Sequence, residues 1–103
     1  MTGSEGQGPE GGRRPVLLHV GLAFRDAIKE QELEGVFNKA RDWLRYAPTC
    51  WIVWTTSTPQ QWLARLKPHL GPDDHVLITK VDPSVRSGQL PKWAWEWLDK
   101  RIN

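Results

Sequence analysis

Thr49-Cys50-Trp51-Ile52-Val53-Trp54-Thr55 is the stretch that decides the fold class. It is dense in β-branched and aromatic residues, which fit a pleated strand better than a helix. Side chains alternate across a strand, so Cys50, Ile52 and Trp54 face one way while Trp51 and Val53 face the other. Both sets are apolar. An antiparallel sheet with one wet face would alternate apolar and polar residues. This strand therefore belongs inside a sheet that is covered on both sides.

The chain on either side supplies the rest of that sheet. Val16 to Leu22 reads as a first strand with little polar interruption, and His75 to Val81 as a last one. Arg41 to Tyr46 is compatible with an extension of the preceding helix or with a short strand; we read it as a strand, joined to Thr49–Thr55 by a hairpin through Ala47-Pro48. Ala27 to Ala40 places Ile28, Leu33, Val36, Phe37 and Ala40 near one stripe, the mark of an amphipathic helix, with Asp26 as its N-cap. Gly35 in that helix is expected to allow a close backbone approach. Thr58-Pro59-Gln60-Gln61 carries a helix start: Thr58 as N-cap, Pro59 at the first helical position and Gln61 completing a capping box. That helix is expected to run to about His69 and to bury Trp62, Leu63 and Leu66. After a loop over Asp82 to Gln89, Pro91 starts a terminal helix through Arg101, with Leu90, Ala94, Trp97 and Leu98 on its apolar side.

The order β-α-β-β-α-β plus a C-terminal helix predicts a ferredoxin-like α+β domain: one four-stranded antiparallel sheet with two helices on one face. Residues 1–14 (MTGSEGQGPEGGRR) are too polar and glycine-rich to repay the entropy of ordering and read as a disordered tail, leaving 15–103 as a single domain. The two helices cover one sheet face. The other needs the terminal helix folded back as a lid, a second copy of the chain, or both. A homodimer formed by two-fold pairing of sheets is the expectation carried forward.

Of the seven tryptophans, Trp51 and Trp62 read as core and Trp97 as the anchor of the terminal helix. Trp54, Trp93 and Trp95 are left as candidates for a dimer or partner interface. The chain has 103 residues, 39% of them hydrophobic and 25% charged, with a formal net charge of +2. That balance belongs to an ordinary globular domain and permits nucleic-acid contact without demanding it. Arg25, Lys80, Arg86 and Lys92 are the candidate phosphate contacts. Cys50 is the single cysteine and cannot form an internal disulfide. With no signal-peptide core and no membrane-length apolar run, the expected location is cytoplasmic.

Catalytic chemistry has little to stand on. His19, His69 and His75 show no ligand spacing with one another or with Cys50, and Asp73-Asp74 sits in the turn context Gly71-Pro72-Asp73-Asp74, so no metal site is assigned. Ser57, Ser84 and Ser87 lack a neighbouring base, and no glycine-rich phosphate loop lies between a strand and a helix. No cofactor and no catalytic residue is assigned.

One resemblance spans residues 16–101. The first strand, the short amphipathic helix, Thr49-Cys50-Trp51-Ile52-Val53, Leu66-Lys67-Pro68-His69-Leu70, Asp73 to Val81 and above all Leu90-Pro91-Lys92-Trp93-Ala94-Trp95-Glu96-Trp97-Leu98 resemble a group of small bacterial proteins often labelled SinR-like. That group is related in fold to the second CRISPR-associated protein. The resemblance implies a ferredoxin-like homodimer. In active members of the wider superfamily it also implies an Asp at the end of the first strand that holds a divalent metal for phosphodiester cleavage. Here that position falls near Gly21-Leu22, and the stretch reads His19-Val20-Gly21-Leu22-Ala23-Phe24-Arg25, with Asp26 several residues later. Hard cations need carboxylate oxygen, so the departure argues against inherited nuclease activity. The expected function is a non-catalytic homodimeric module acting by protein or nucleic-acid contacts. The alternative is a metal-dependent endonuclease on RNA or DNA.

Overall fold

The computed structural model describes residues 14–101. The tail read over 1–14 lies outside the described residues except for Arg14, which is exposed. The architecture is α+β, with a four-stranded antiparallel sheet in the order β2-β3-β1-β4 and three α-helices. This is compatible with a ferredoxin-like arrangement. The strands are β1 (Val16–Ala23), β2 (Asp42–Ala47), β3 (Cys50–Thr55) and β4 (His75–Val81), and the helices α1 (Glu30–Phe37), α2 (Pro59–Leu66) and α3 (Lys92–Asp99). The ambiguous segment after α1 is thus a strand, and β2 and β3 form the expected hairpin.

Strand alternation divides the core in two. On one face Leu18, Val20 and Leu22 of β1, Trp43 of β2 and Trp51 and Val53 of β3 pack with Leu33, Val36 and Phe37 of α1 and Trp62 and Leu66 of α2. On the other, Leu17, Leu44 and Ile52 pack with Ala94, Trp97 and Leu98 of α3. The apolar residues on both sides of β3 are explained: α1 and α2 lie against one face, and α3 of the same chain lies against the other. A second copy is not required to bury Leu17, Leu44 and Ile52.

Several local expectations are corrected. α1 starts at Glu30, not Ala27, and its N-cap is Lys29 with no side-chain cap, so Asp26 is an exposed connector residue and not the cap. Phe24 and Ile28 pack onto the first core from this non-helical connector. Glu30 and Glu32 then supply the first-turn carboxylates that favour a helix N-terminus. Gly35 meets no close neighbour: nothing lies within 4 Å of where its Cβ would be. α2 stops at Leu66 and tightens into a 3₁₀ turn over Lys67–His69, because Pro68 has no N–H and its ring would crowd the carbonyl four residues earlier. The capping box at its start is formed: Thr58 Oγ1 accepts from the Gln61 N–H at 3.1 Å, and Gln61 Oε1 accepts from the Thr58 N–H at 2.8 Å. Leu63 is not buried. It lies about 100° around the helix from Trp62 and stays 37% exposed. Leu77, expected under cover, is 66% exposed.

Candidate functional site

β1 begins, and β3 and β4 end, at the same edge of the sheet: Leu17 stands opposite both Trp54 and Val81, and Trp54 opposite Asp42 at the start of β2. A cleft of about 630 Å³ opens there, with Arg14, Lys80, Arg101, Trp54, Asp82 and Ser84 on its walls. The chain direction accounts for the cations. Arg14 leads into β1, Lys80 is the penultimate residue of β4, and Arg101 follows α3, whose C-terminal end is the favourable one for a cation.

The back of the cleft is fixed by a buried carboxylate. Asp42 is 2% exposed; its Oδ2 accepts from Trp97 Nε1–H at 2.9 Å and from Arg101 Nη2 at 2.6 Å, and its Oδ1 from the Trp43 N–H at 2.9 Å. The Arg101 guanidinium lies over the Trp97 ring, 4.2 Å from its centroid, and 6.0 Å from that of Trp54. One charge pair therefore seats α3, closes the second core and orients a cleft wall. At the mouth, Asp82 accepts from the Ser84 hydroxyl at 2.6 Å and the Ser84 N–H at 3.0 Å. These hydrogen bonds, aided by the nearby Lys80 charge, hold its carboxyl below the usual range. With Arg101 balanced by Asp42, Arg14 and Lys80 face Asp82, and the cleft is net cationic beside a partly buried indole. Such a surface can hold a phosphate ester and stack a flat ring.

The structure brings two of the sequence candidates, Trp54 and Lys80, to this cleft. Arg25 lies at the opposite end of β1, ion-paired to Asp73 at 2.6 Å, while its backbone N–H is accepted by Asp74. Arg86 pairs with Asp99 at 2.6 Å and lies over the Trp95 ring. Lys92 is exposed at the start of α3. Trp95 packs at the margin of the second core, and Trp93 is 42% exposed. Asp74 is pulled below the usual carboxylate range by the Arg25 and Gly71 N–H groups it accepts, the turn chemistry expected of it. His69 pairs with Glu32 and His75 is exposed. Among the described residues no group of three or more His, Cys, Asp or Glu is placed to hold a metal ion. Sequence reasoning missed Arg14, Arg101 and Asp42. Strand register alone would have found Asp42 and Arg14, whereas Arg101 depends on how α3 is laid down.

The second face also carries a partly buried polar pair. His19 of β1 and Tyr46 of β2 share a hydrogen bond, Nε2 to Oη at 2.6 Å. Burial, followed by the adjacent Cys50, pushes the Tyr46 phenol up to about 12, and burial lowers His19. Both shifts favour neutral forms. The stabilisation from Tyr46 is complete below pH 10.0 and is lost as pH rises toward about 12. That from His19 is complete above 6.5 and is lost as pH falls below it. Because Tyr46 is the only tyrosine, tyrosinate absorbance reads it directly: the midpoint should fall near 12, and a midpoint at the ordinary 10.0 would contradict this geometry.

No helix among the described residues is long and apolar enough to cross a membrane. Comparison with known proteins finds no matching family model, no matching curated protein and no matching solved structure.

Proposed function

We propose that this chain is a non-catalytic, ferredoxin-like module that binds single-stranded nucleic acid in the cleft at the β1, β3 and β4 ends. The observation that carries the reading is the convergence of Arg14, Lys80 and Arg101 on Trp54 in one open cleft. Cations supply the phosphate contacts and an indole the stacking platform, a combination that tolerates any sequence because every base has a π-face. A duplex, whose bases are already stacked, is the poorer ligand. The ferredoxin-like assignment draws support from the order β2-β3-β1-β4 with every neighbouring pair antiparallel and from right-handed crossovers being the rule.

Fluorescence anisotropy with labelled single-stranded RNA, single-stranded DNA and duplex tests it. Binding should weaken with salt along a log–log slope of roughly −1.4, the value for about two phosphate contacts on a single strand. Lys80→Ala should flatten that slope by about 0.7 and weaken binding several-fold. Absence of binding, or indifference to Lys80→Ala, overturns the reading. Cleavage of the same oligonucleotides in Mg²⁺ or Mn²⁺ would establish the endonuclease alternative instead.

A further inference from the structure

Arg41, the residue before β2, stands against Trp54 at the cleft end of the sheet. Its backbone N–H donates to the Trp54 carbonyl at 2.9 Å, and the next residue, Asp42, is the register partner of the same tryptophan. Two residues set against one make a bulge, which re-aims a side chain and is common next to active sites. Among the described residues the Arg41 side chain has no partner: its Nε is buried without a hydrogen bond, and its guanidinium forms no ion pair. The neighbouring Asp42 carboxylate is engaged by Arg101. Arg45, in contrast, is held by Glu30 and by the Pro48 carbonyl. A buried N–H without an acceptor is rare in a folded chain and calls for an explanation.

We propose that Arg41 is a phosphate subsite, so that a bound strand crosses the end of the sheet with a phosphate held on each side of the base stacked on Trp54. The proposal rests on the single-strand reading above and adds to it a direction and a minimal ligand. In the order β2-β3-β1-β4, Trp54 of β3 lies between Arg41, at the start of β2, and the cleft cations Arg14 and Lys80, on β1 and β4. An internal nucleotide has the same arrangement: one base, and a phosphate on either side of its sugar. Neighbouring strands are about 4.8 Å apart, so β2 and β1 bring their long cationic side chains to the two flanks of one stacked base. A guanidinium suits the task, because its planar fork matches two phosphate oxygens. The phosphate contacts that set the salt slope then divide, one to Arg14 and Lys80 and one to Arg41. The preferred ligand is the interior of a strand and not a nucleoside monophosphate.

Competition against a labelled single-stranded oligonucleotide tests the subsite. With the intact protein, a nucleoside 3′,5′-bisphosphate should displace the label at several-fold lower concentration than the 5′- or the 3′-monophosphate. Arg41→Met, which keeps the packed stem and removes the charge, should erase that advantage. It should also weaken oligonucleotide binding several-fold and flatten the salt slope by about 0.7. Lys67→Met removes an exposed cation at the far end of α2 and should leave the affinity unchanged. Arg41→Met should keep the urea midpoint at or above that of the parent, since it removes an N–H that has no acceptor. A lower midpoint would assign the guanidinium to the fold and overturn the proposal. So would a bisphosphate that competes no better than the monophosphates, or equal losses from Arg41→Met and Lys67→Met. Binding that responds to Lys80→Ala but not to Arg41→Met overturns this proposal alone, whereas absence of all binding overturns the cleft reading with it.

Discussion

Replacing Asp42 by alanine should lower the free energy of unfolding by about 3–5 kcal/mol, the usual cost of removing one member of a buried ion pair. The carboxylate is 2% exposed and its Arg101 partner 9%, so neither charge has bulk water to fall back on. Without Asp42 the guanidinium is left without this counter-charge, and the Trp97 and Trp43 N–H groups lose their acceptor. Urea denaturation should show a lower midpoint with an unchanged slope. Arg101→Met in the Asp42→Ala background should recover part of the loss, because two apolar groups remove the stranded charge. A loss under about 1 kcal/mol would mean that the pair behaves as a surface salt bridge.

Trp62→Ala should cost a similar amount, about 3–5 kcal/mol, on the opposite side of the sheet. Trp62 is fully buried, and its ring closes a row of three. Trp51 stacks on Phe37 with centroids 4.3 Å apart, and Phe37 stacks on Trp62 at 5.8 Å. Its Nε1–H donates to Thr55 Oγ1 at 2.9 Å, and the Arg65 guanidinium covers it at 4.8 Å. Truncation opens a cavity between α2 and β3 and removes a hydrogen bond together. Trp62→Phe separates the two effects: it keeps most of the stacking and loses the donor, which is worth about 0.5–1.5 kcal/mol. If Phe proved as costly as Ala, the lost Nε1–H donor, and not the volume of the ring, would have to be the controlling quantity.

The elements that sequence reading placed well are those with local causes. The β4 bounds, the β3 run and the Thr58–Gln61 capping box depend on neighbours within a few residues. Where the determinant is distant, the sequence was silent or misleading. Asp26 has the chemistry of an N-cap, but Phe24 and Ile28 pack onto the core from a non-helical connector, and α1 begins after it. Leu63 and Leu77 have core-like side chains, yet among the described residues they stay 37% and 66% exposed. The cleft was half legible. Trp54 and Lys80 fall at strand ends and could be picked out, whereas Arg25 shares the charge of Lys80 but lies at the other end of the sheet. Asp42 and Arg101 are 59 residues apart, and no local pattern announces that they meet.

The central position of β1 has a consequence for how quickly the chain can assemble. β1 is first in sequence, but its partners are β3 and β4, with Leu17 held against both Trp54 and Val81. The β2–β3 hairpin can close on its own in about 1–10 μs. The strand that unites the sheet must wait for loops spanning most of the domain, which places the rate-limiting step in the slower range of mixed and β-rich topologies, milliseconds or longer. Until β4 and α3 arrive, Leu17, Leu44 and Ile52 lack the cover they have at the end. The interval before closure, more than the finished fold, is when this chain is most open to self-association.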